Sequence, residues 1–170
     1  MPVLLRRAIT AVSILSVALF GPISNASAEE PDVEIPAGEF CPTFAVVGHA
    51  TGKEGSEKTL PGDRFWSHNV ANGIWANAES GQTYTQRSRY VAVVTYDEAD
   101  NDFHVTINGR FMIGFAAGDV GLTGLVTETQ TFSVAGHQMF TYDVDTNRIS
   151  EYSLDGVVLA DVCAVLAGEN

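Results

Sequence analysis

The residues best suited to chemistry in this chain are its two cysteines, Cys41 and Cys163. They lie 122 positions apart, near the two ends of the part that we expect to fold. A cysteine pair without a CxxC or Cys-His motif is typical of a structural disulfide in an oxidising compartment. We therefore predict one bridge between Cys41 and Cys163, with two separate buried thiols as the alternative.

The four histidines, which are common metal ligands, show no ligand spacing. His49, His68, His104 and His137 form no HxH, HxxxH or HExxH motif. Bringing three of them together in space would need several independent coincidences of strand pairing. The sequence therefore predicts no metal site and no cofactor.

Carboxylates are abundant, and two acidic segments have spacings that calcium sites use. In the segment 143–147, Asp, Asp and Asn occupy the first, third and fifth positions of a calcium loop. However, Arg148 stands where that loop needs glycine, and Leu154 stands where it needs glutamate. This segment therefore favours an Asx-rich hairpin turn. The denser segment 97–102 leaves a weak calcium site and a solvated turn as alternatives.

The charge of the chain excludes several classes of partner. All 21 acidic residues follow residue 28, and seven basic residues do, so seven minus 21 gives a charge of −14 for that part. Such a surface repels nucleic acid and anionic lipid, and it favours a soluble monomer. There is no GxSxG motif and no pair of carboxylates stands out, so we predict no catalytic residue.

The N-terminus has the form of an export signal. The basic pair Arg6-Arg7 precedes the apolar run 8–20, and Ala26-Ser27-Ala28 has the small-x-small form of a cleavage site. We expect a secreted protein that begins at Glu29 and is not inserted in a membrane, with the Sec and Tat routes both open. The predicted organisation is a signal peptide at 1–28, a disordered acidic leader at 29–39 and a single β domain at 40–168.

Short segments rich in Val, Thr, Phe and Tyr alternate with Gly, Asn and Asp beyond residue 40, which is typical of an all-β domain. The candidate strands are 42–48, 63–71, 73–78, 82–86, 89–97, 102–116, 121–134, 138–144, 148–154 and 157–160. Loops at 135–137, 146–147 and 155–156 would connect consecutive hairpins. We therefore predict an antiparallel meander, closed as a barrel or packed as a sandwich.

The segment around Asn108-Gly109 is an exception to this hairpin pattern. Its apolar residues keep one parity on both sides of the glycine, from Phe103 to Phe115, and a two-residue hairpin would put them on opposite faces. We therefore predict one long strand bent at Gly109. At the C-terminus, the spacing of Val162 and Leu166 predicts a short helix that ends at Gly168.

Trp75 is the aromatic residue that could bind a ligand. On the predicted strand 73–78, Ile74, Ala76 and Ala78 share the apolar parity, which leaves Trp75 beside Asn77 on the polar face. An exposed Trp next to an amide can stack on a sugar ring or a partner. The alternative is that Trp75 covers an edge of the sheet.

Several motifs together resemble one group of proteins. They are Phe40-Cys41-Pro42, Gly62-Asp63-Arg64, Asn108-Gly109-Arg110, the segment 117–122 and the closing segment 161–167. Over residues 40–167 the chain resembles small secreted actinobacterial β-rich proteins of unknown function with an N- and C-terminal cysteine pair. This resemblance implies export and a disulfide, and it supplies no catalytic residue.

The function predicted from these observations is that of a secreted, non-enzymatic β domain. It would bind an unknown extracellular or envelope ligand, in the medium or at the cell wall. Two alternatives are a β-barrel carrier of a small lipophilic ligand and a carboxylate-dependent polysaccharide hydrolase.

Overall fold

The computed structural model describes residues 33–62 and 64–169, and for residues 50–54 the backbone alone. The predicted signal peptide and the predicted mature N-terminus at Glu29 lie outside the described residues. The elements in chain order are β1 (Val33–Ile35), β2 (Val46–Leu60), β3 (Arg64–Asn77), β4 (Thr83–Asp97), β5 (Asp102–Phe115), β6 (Val120–Gly121), β7 (Gly124–Leu125), β8 (Gln130–Asp143), β9 (Arg148–Asp161) and α1 (Val162–Ala167). The prediction of an all-β fold with a short C-terminal helix is confirmed.

Seven strands form one antiparallel sheet in the order β1-β2-β3-β4-β5-β8-β9. The β6–β7 hairpin is inserted between β5 and β8, and every other connection joins neighbouring strands, so the predicted meander is also confirmed. Strands β1 and β9 are the two edges. Over the described residues the sheet is therefore not closed as a barrel, and the structure favours the sandwich alternative.

The sheet separates into two arms in the middle of β4 and β5. These strands pair only from Arg89 to Asp97 on β4, against Arg110 to Asp102 on β5. Beyond that point, residues 83–88 pair with β3 and residues 111–115 pair with β8. One arm continues through β2 and β3 and the other through β8 and β9, so that buried side chains fill the space between them.

Three glycines lie side by side where the long strands bend. Gly109 of β5 pairs with Gly136 of β8, which pairs with Gly156 of β9. Gly109 and Gly136 have φ angles of 129° and 137°, which L side chains rarely adopt. A Cβ atom on Gly136 would lie 2.7 Å from the Cα atom of Gly156. We call this row the glycine crease, because it lets three strands bend at the same level.

The glycine crease shows that the hairpins predicted at 135–137 and 155–156 are wrong. Strand β8 continues through Gly136 and β9 continues through Gly156. Each of these glycines faces the backbone of a neighbouring strand, so it permits a bend and not a chain reversal.

The prediction of one bent strand through Gly109 is confirmed, with the odd-numbered apolar residues buried. Similarly, the segments 63–78 and 82–97, each predicted as two strands, are essentially β3 and β4.

Two hydrophobic clusters pack against the sheet. The first is centred on β5 and β8 and contains Ala92, Phe103, Val105, Ile107, Phe111, Ile113, Phe115, Val126, Val134, Phe140, Tyr142 and Ile149. The second lies between the two arms and contains Ile35, Phe40, Cys41, Phe44, Val46, Trp75, Val162 and Leu166. Helix α1 contributes to the second cluster, with Asp161 as its N-cap and Gly168 ending it at φ 81°. No helix in 33–62 or 64–169 is long and apolar enough to cross a bilayer.

The predicted disulfide between Cys41 and Cys163 is confirmed, and it joins the segment before β2 to helix α1. The two Cα atoms lie 5.5 Å apart, and Cys41 is fully buried. A disulfide of this kind is consistent with an oxidising compartment.

The prediction of a disordered leader is wrong for residues 33–39. Val33–Ile35 form the edge strand β1, which pairs with β2, and Ile35 is buried in the second cluster. Gly38 accepts a hydrogen bond from the hydroxyl of Thr129, more than 90 positions away in the chain. The acidic composition of this segment conceals the single apolar side chain that anchors it.

Candidate functional site

Trp75 is not a surface residue, so the prediction that it binds a ligand is wrong. Its side chain is 2% exposed, whereas that of the neighbouring Ile74 is 51% exposed. The indole Nε1 donates a hydrogen bond to Gln86 Oε1 over 2.8 Å, and the ring stacks on Phe40 with centroids 4.9 Å apart. The ring also lies over Gly48, where a Cβ atom would collide with it. These three contacts stabilise the buried position of the indole ring.

Asn77, the second predicted binding residue, has a structural role as well. It is buried, and its Nδ2 donates to the carbonyl oxygen of Leu166 over 3.2 Å. Its Oδ1 accepts hydrogen bonds from the backbone N–H groups of Glu79 and Ser80, at 2.9 and 3.2 Å. Asn77 therefore fixes the β3–β4 turn against helix α1.

The two acidic segments form adjacent turns at one end of the sheet. Asp143 Oδ1 accepts hydrogen bonds from the backbone N–H groups of Asp145 and Thr146, which confirms the predicted Asx-rich turn. Asn101, in the β4–β5 turn, donates from Nδ2 to Asp145 Oδ1 over 2.6 Å. Among the residues that the structure describes, no three His, Cys, Asp or Glu side chains are grouped so as to hold a metal ion.

Asp102 and Asp143 face each other across β5 and β8, and their pKa values are shifted in opposite directions. Desolvation and the facing charge of Asp143 raise the pKa of Asp102. Hydrogen bonds from Thr146 lower the pKa of Asp143. Opposed shifts are a feature of catalytic acid–base pairs, but both side chains are partly exposed at the end of the sheet, and an oxygen of Asp143 is engaged in the turn. The geometry is that of a turn.

His104 and His137 are hydrogen-bonded to side chains on neighbouring strands. A ring nitrogen of His104 lies 3.2 Å from Thr141 Oγ1, and one of His137 lies 2.9 Å from Asn108 Oδ1. Both contacts join side chains that face each other across β5 and β8. The two histidines therefore have a structural role, because each links two neighbouring strands of the sheet.

The edge strand β9 presents an open apolar surface. Val157, Val158 and Leu159 are 56%, 47% and 44% exposed, and no charged residue lies between Asp155 and Asp161. Strand β9 pairs with β8 on one side and forms the edge of the sheet on the other. Between the register shifts at Ser133/Val134 and Thr141/Tyr142, residues 151–158 pair without interruption. This regular stretch is the part of the edge that an added strand could follow, and it begins two residues after Ile149, whose backbone N–H already donates to Asp119 Oδ1.

The opposite edge of the sheet is protected. Strand β1 covers Val46–Gly48 of β2, and a register shift follows between Lys53 and Ser56. Beyond the shift, the exposed residues Glu57 and Lys58 carry charges. Charges and bulges on an edge discourage the addition of another strand. The two edges therefore differ, and β9 is the more accessible to an incoming strand.

The sequence contains a signal for the exposed apolar surface of β9, although the alternation of residues does not show it. Val157, Val158 and Leu159 are three consecutive apolar residues, whereas a strand with one buried face would alternate apolar and polar residues.

Comparisons with protein-family models, with curated proteins and with solved structures gave no match. No functional residue is therefore transferred to this chain from a relative.

Proposed function

We propose that this protein is a secreted, non-enzymatic binding domain that recruits an extended segment of another polypeptide to the edge of β9. The observation that carries the proposal is the uninterrupted stretch 151–158 on the edge strand, together with the exposed apolar residues Val157, Val158 and Leu159 at its end. Backbone hydrogen bonds of an added strand give affinity, and the side chains beside it give specificity.

The charge of the chain indicates which polypeptide would bind. The exposed acids Glu151, Asp155 and Asp161 lie on β9 itself, and the chain as a whole has a net charge of −12. An acidic segment is repelled by this surface, whereas a basic one is attracted. The partner is therefore an extended segment in which basic and β-branched residues alternate.

Export supports an extracellular partner. The signal-like features in residues 6–28 and the disulfide both fit an oxidising compartment outside the cytoplasm. The intact mass of protein recovered from the culture medium checks the location, because a mature chain that starts at Glu29 is expected.

The binding test uses a fluorescent octapeptide of alternating Val and Lys, long enough to cover residues 151–158. Fluorescence anisotropy should detect saturable binding to the mature protein. A peptide of the same length with proline at a central position should bind more weakly, because proline cannot donate a hydrogen bond to the sheet. The variant Val157→Lys places a positive charge on the edge, so we expect about fivefold weaker binding.

A matched control separates the edge from the rest of the surface. The variant Ile74→Lys makes a similar change at an exposed apolar residue of β3, which is paired on both sides, so its peptide binding should be unchanged. Equal binding of the two peptides, or equal loss in the two variants, would contradict the proposal.

A further inference from the structure

Three of the seven basic residues that follow residue 28 lie together on one face of the sheet. Arg89 of β4 is directly opposite Arg110 of β5, and Arg87 is two residues before Arg89 on the same face. All three side chains are exposed. Residues opposite each other are about 5 Å apart and alternate residues on a strand are about 7 Å apart. We call this group the arginine cluster.

The arginine cluster is unfavourable for folding by itself. Like charges directly opposite each other on neighbouring strands destabilise a sheet. In the part of the chain that the structure describes, the neighbours of this pair on the same face are Val70 on β3 and Ala135 on β8, both uncharged. No hydrogen bond or ion pair to the three guanidinium groups is found among the described residues. A local conflict without a compensating contact is a feature of binding sites.

We propose that Arg87, Arg89 and Arg110 bind a phosphate group. Each guanidinium presents several N–H donors in a planar fork that matches the oxygen atoms of a phosphate, and bidentate pairs are the strongest of these contacts. The cluster also lies where β4 and β5 begin to separate, with Arg89 and Arg110 as the last pair of the two strands. Asn72, exposed and paired with Arg87, adds an amide beside the cluster.

The charge of the whole chain limits the size of this ligand. Acidic residues outnumber basic ones by three to one beyond residue 28, and a long polyanion would meet that repulsion. At physiological ionic strength, however, charges act over only about 8 Å, so the cluster retains a local attraction. The ligand is therefore a single phosphate group on a small or otherwise uncharged molecule. This site is independent of the β9 edge.

The first test measures the thermal stability and the binding of the mature protein in sodium phosphate, against sodium chloride of equal ionic strength. A ligand that binds only the folded state raises the Tm as its concentration increases. Phosphate should raise the Tm of the wild type and of the control Arg64→Gln, which removes an exposed arginine elsewhere on β3. At the same phosphate concentration it should raise the Tm of Arg110→Gln by less, and calorimetry should show about tenfold weaker binding.

Two further variants of the arginine cluster distinguish a binding site from a structural one. Without phosphate, Arg110→Gln should raise the Tm by about 1–3 °C, because the repulsion from Arg89 is removed. Arg110→Lys retains the charge and loses the planar fork, so its affinity for phosphate should be intermediate. A lower Tm for Arg110→Gln without phosphate would overturn the proposal, because the pair would then stabilise the fold.

Glycerol 3-phosphate and vesicles of phosphatidylglycerol with phosphatidylcholine distinguish two sources of the phosphate group. Binding of the free compound that is lost in Arg110→Gln assigns a soluble ligand. Binding to vesicles alone, again lost in Arg110→Gln, assigns a lipid headgroup. The proposal is overturned if inorganic phosphate, glycerol 3-phosphate and vesicles all fail to show binding that depends on Arg110.

Discussion

Tyr90 and Tyr152 carry phenol groups into the packed side of the sheet. The ring of Tyr90 meets Phe111 edge to face at 4.7 Å, and that of Tyr152 meets Phe115 at 4.9 Å. Desolvation raises the pKa of each to about 12, and the charge of Glu57 contributes to the shift at Tyr90. Both hydroxyl groups therefore stay protonated at a pH where an exposed tyrosine ionises.

The raised pKa of Tyr90 predicts a loss of stability in alkali. An unfolded chain releases the phenol proton near pH 10, whereas the folded chain keeps it until about pH 12. The folded state therefore loses stability as the pH rises from 10 to 12, by about 1 kcal/mol at pH 11. The variant Tyr90→Phe lacks this proton, so its urea midpoint should fall less between pH 9 and pH 11. Identical falls for the two proteins would show that Tyr90 does not contribute.

Trp75 shows why the candidate binding site could not be predicted from local sequence. The alternation of apolar and polar residues along 73–78 predicts that Ile74 is buried and Trp75 is exposed. In the structure Trp75 is buried and Ile74 is exposed. The contacts that decide this are Gln86 on the next strand and Phe40 before β2. Since both are distant in sequence, a pattern confined to one strand does not contain them. The disulfide, by contrast, followed from the presence of only two cysteines in a chain whose N-terminus has the form of an export signal.

At the level of the strands, the glycine crease gives a prediction about stability. Gly136→Ala would place a side chain at φ 137° and against the backbone of β9. We expect a loss of about 3 kcal/mol in the free energy of unfolding, measured by urea denaturation. Gly124→Ala is the control, because Gly124 has φ 112° but open space around it, so only the conformational cost of about 1 kcal/mol applies. Equal losses would show that the contact with β9 is unimportant.

A strand can be predicted from the sequence when its buried and exposed residues alternate without a bulge. In β5 the buried parity continues from Phe103 to Phe115, so one bent strand was predicted correctly. In β9 the register shifts leave Ser150 and Leu159 without a directly paired residue on β8, and alternation changes phase at each. A bulge is a property of two strands, and the sequence of one does not locate it. The Asp155-Gly156 pair was wrongly predicted as a turn for a similar reason, because the glycine is needed for a close approach to the backbone of β8, which is also a contact between strands.

At the scale of the whole molecule, the bridge between Cys41 and Cys163 closes a loop of 122 positions. In the chain-entropy model such a loop contributes about 5 kcal/mol, a large part of the 5–15 kcal/mol typical of a domain. The double variant Cys41→Ala/Cys163→Ala should therefore unfold at a much lower urea concentration than the wild type. Reducing agent should destabilise the wild type and leave the double variant unchanged. A double variant as stable as the oxidised wild type would contradict this role.

The position of the bridge also determines how the molecule responds to mechanical tension. The two bridged Cα atoms lie 5.5 Å apart, and the entire sheet from β2 to β9 lies within the loop that they close. A force applied to the segments outside the bridge would pass through the sulfur–sulfur bond and leave the strands β2 to β9 unloaded. With the bond reduced, the same force could draw out 122 residues, or roughly 400 Å of extended chain. A domain held between two attachments outside the cell would thus keep the strands β2 to β9 folded until a thiol reduced the bridge.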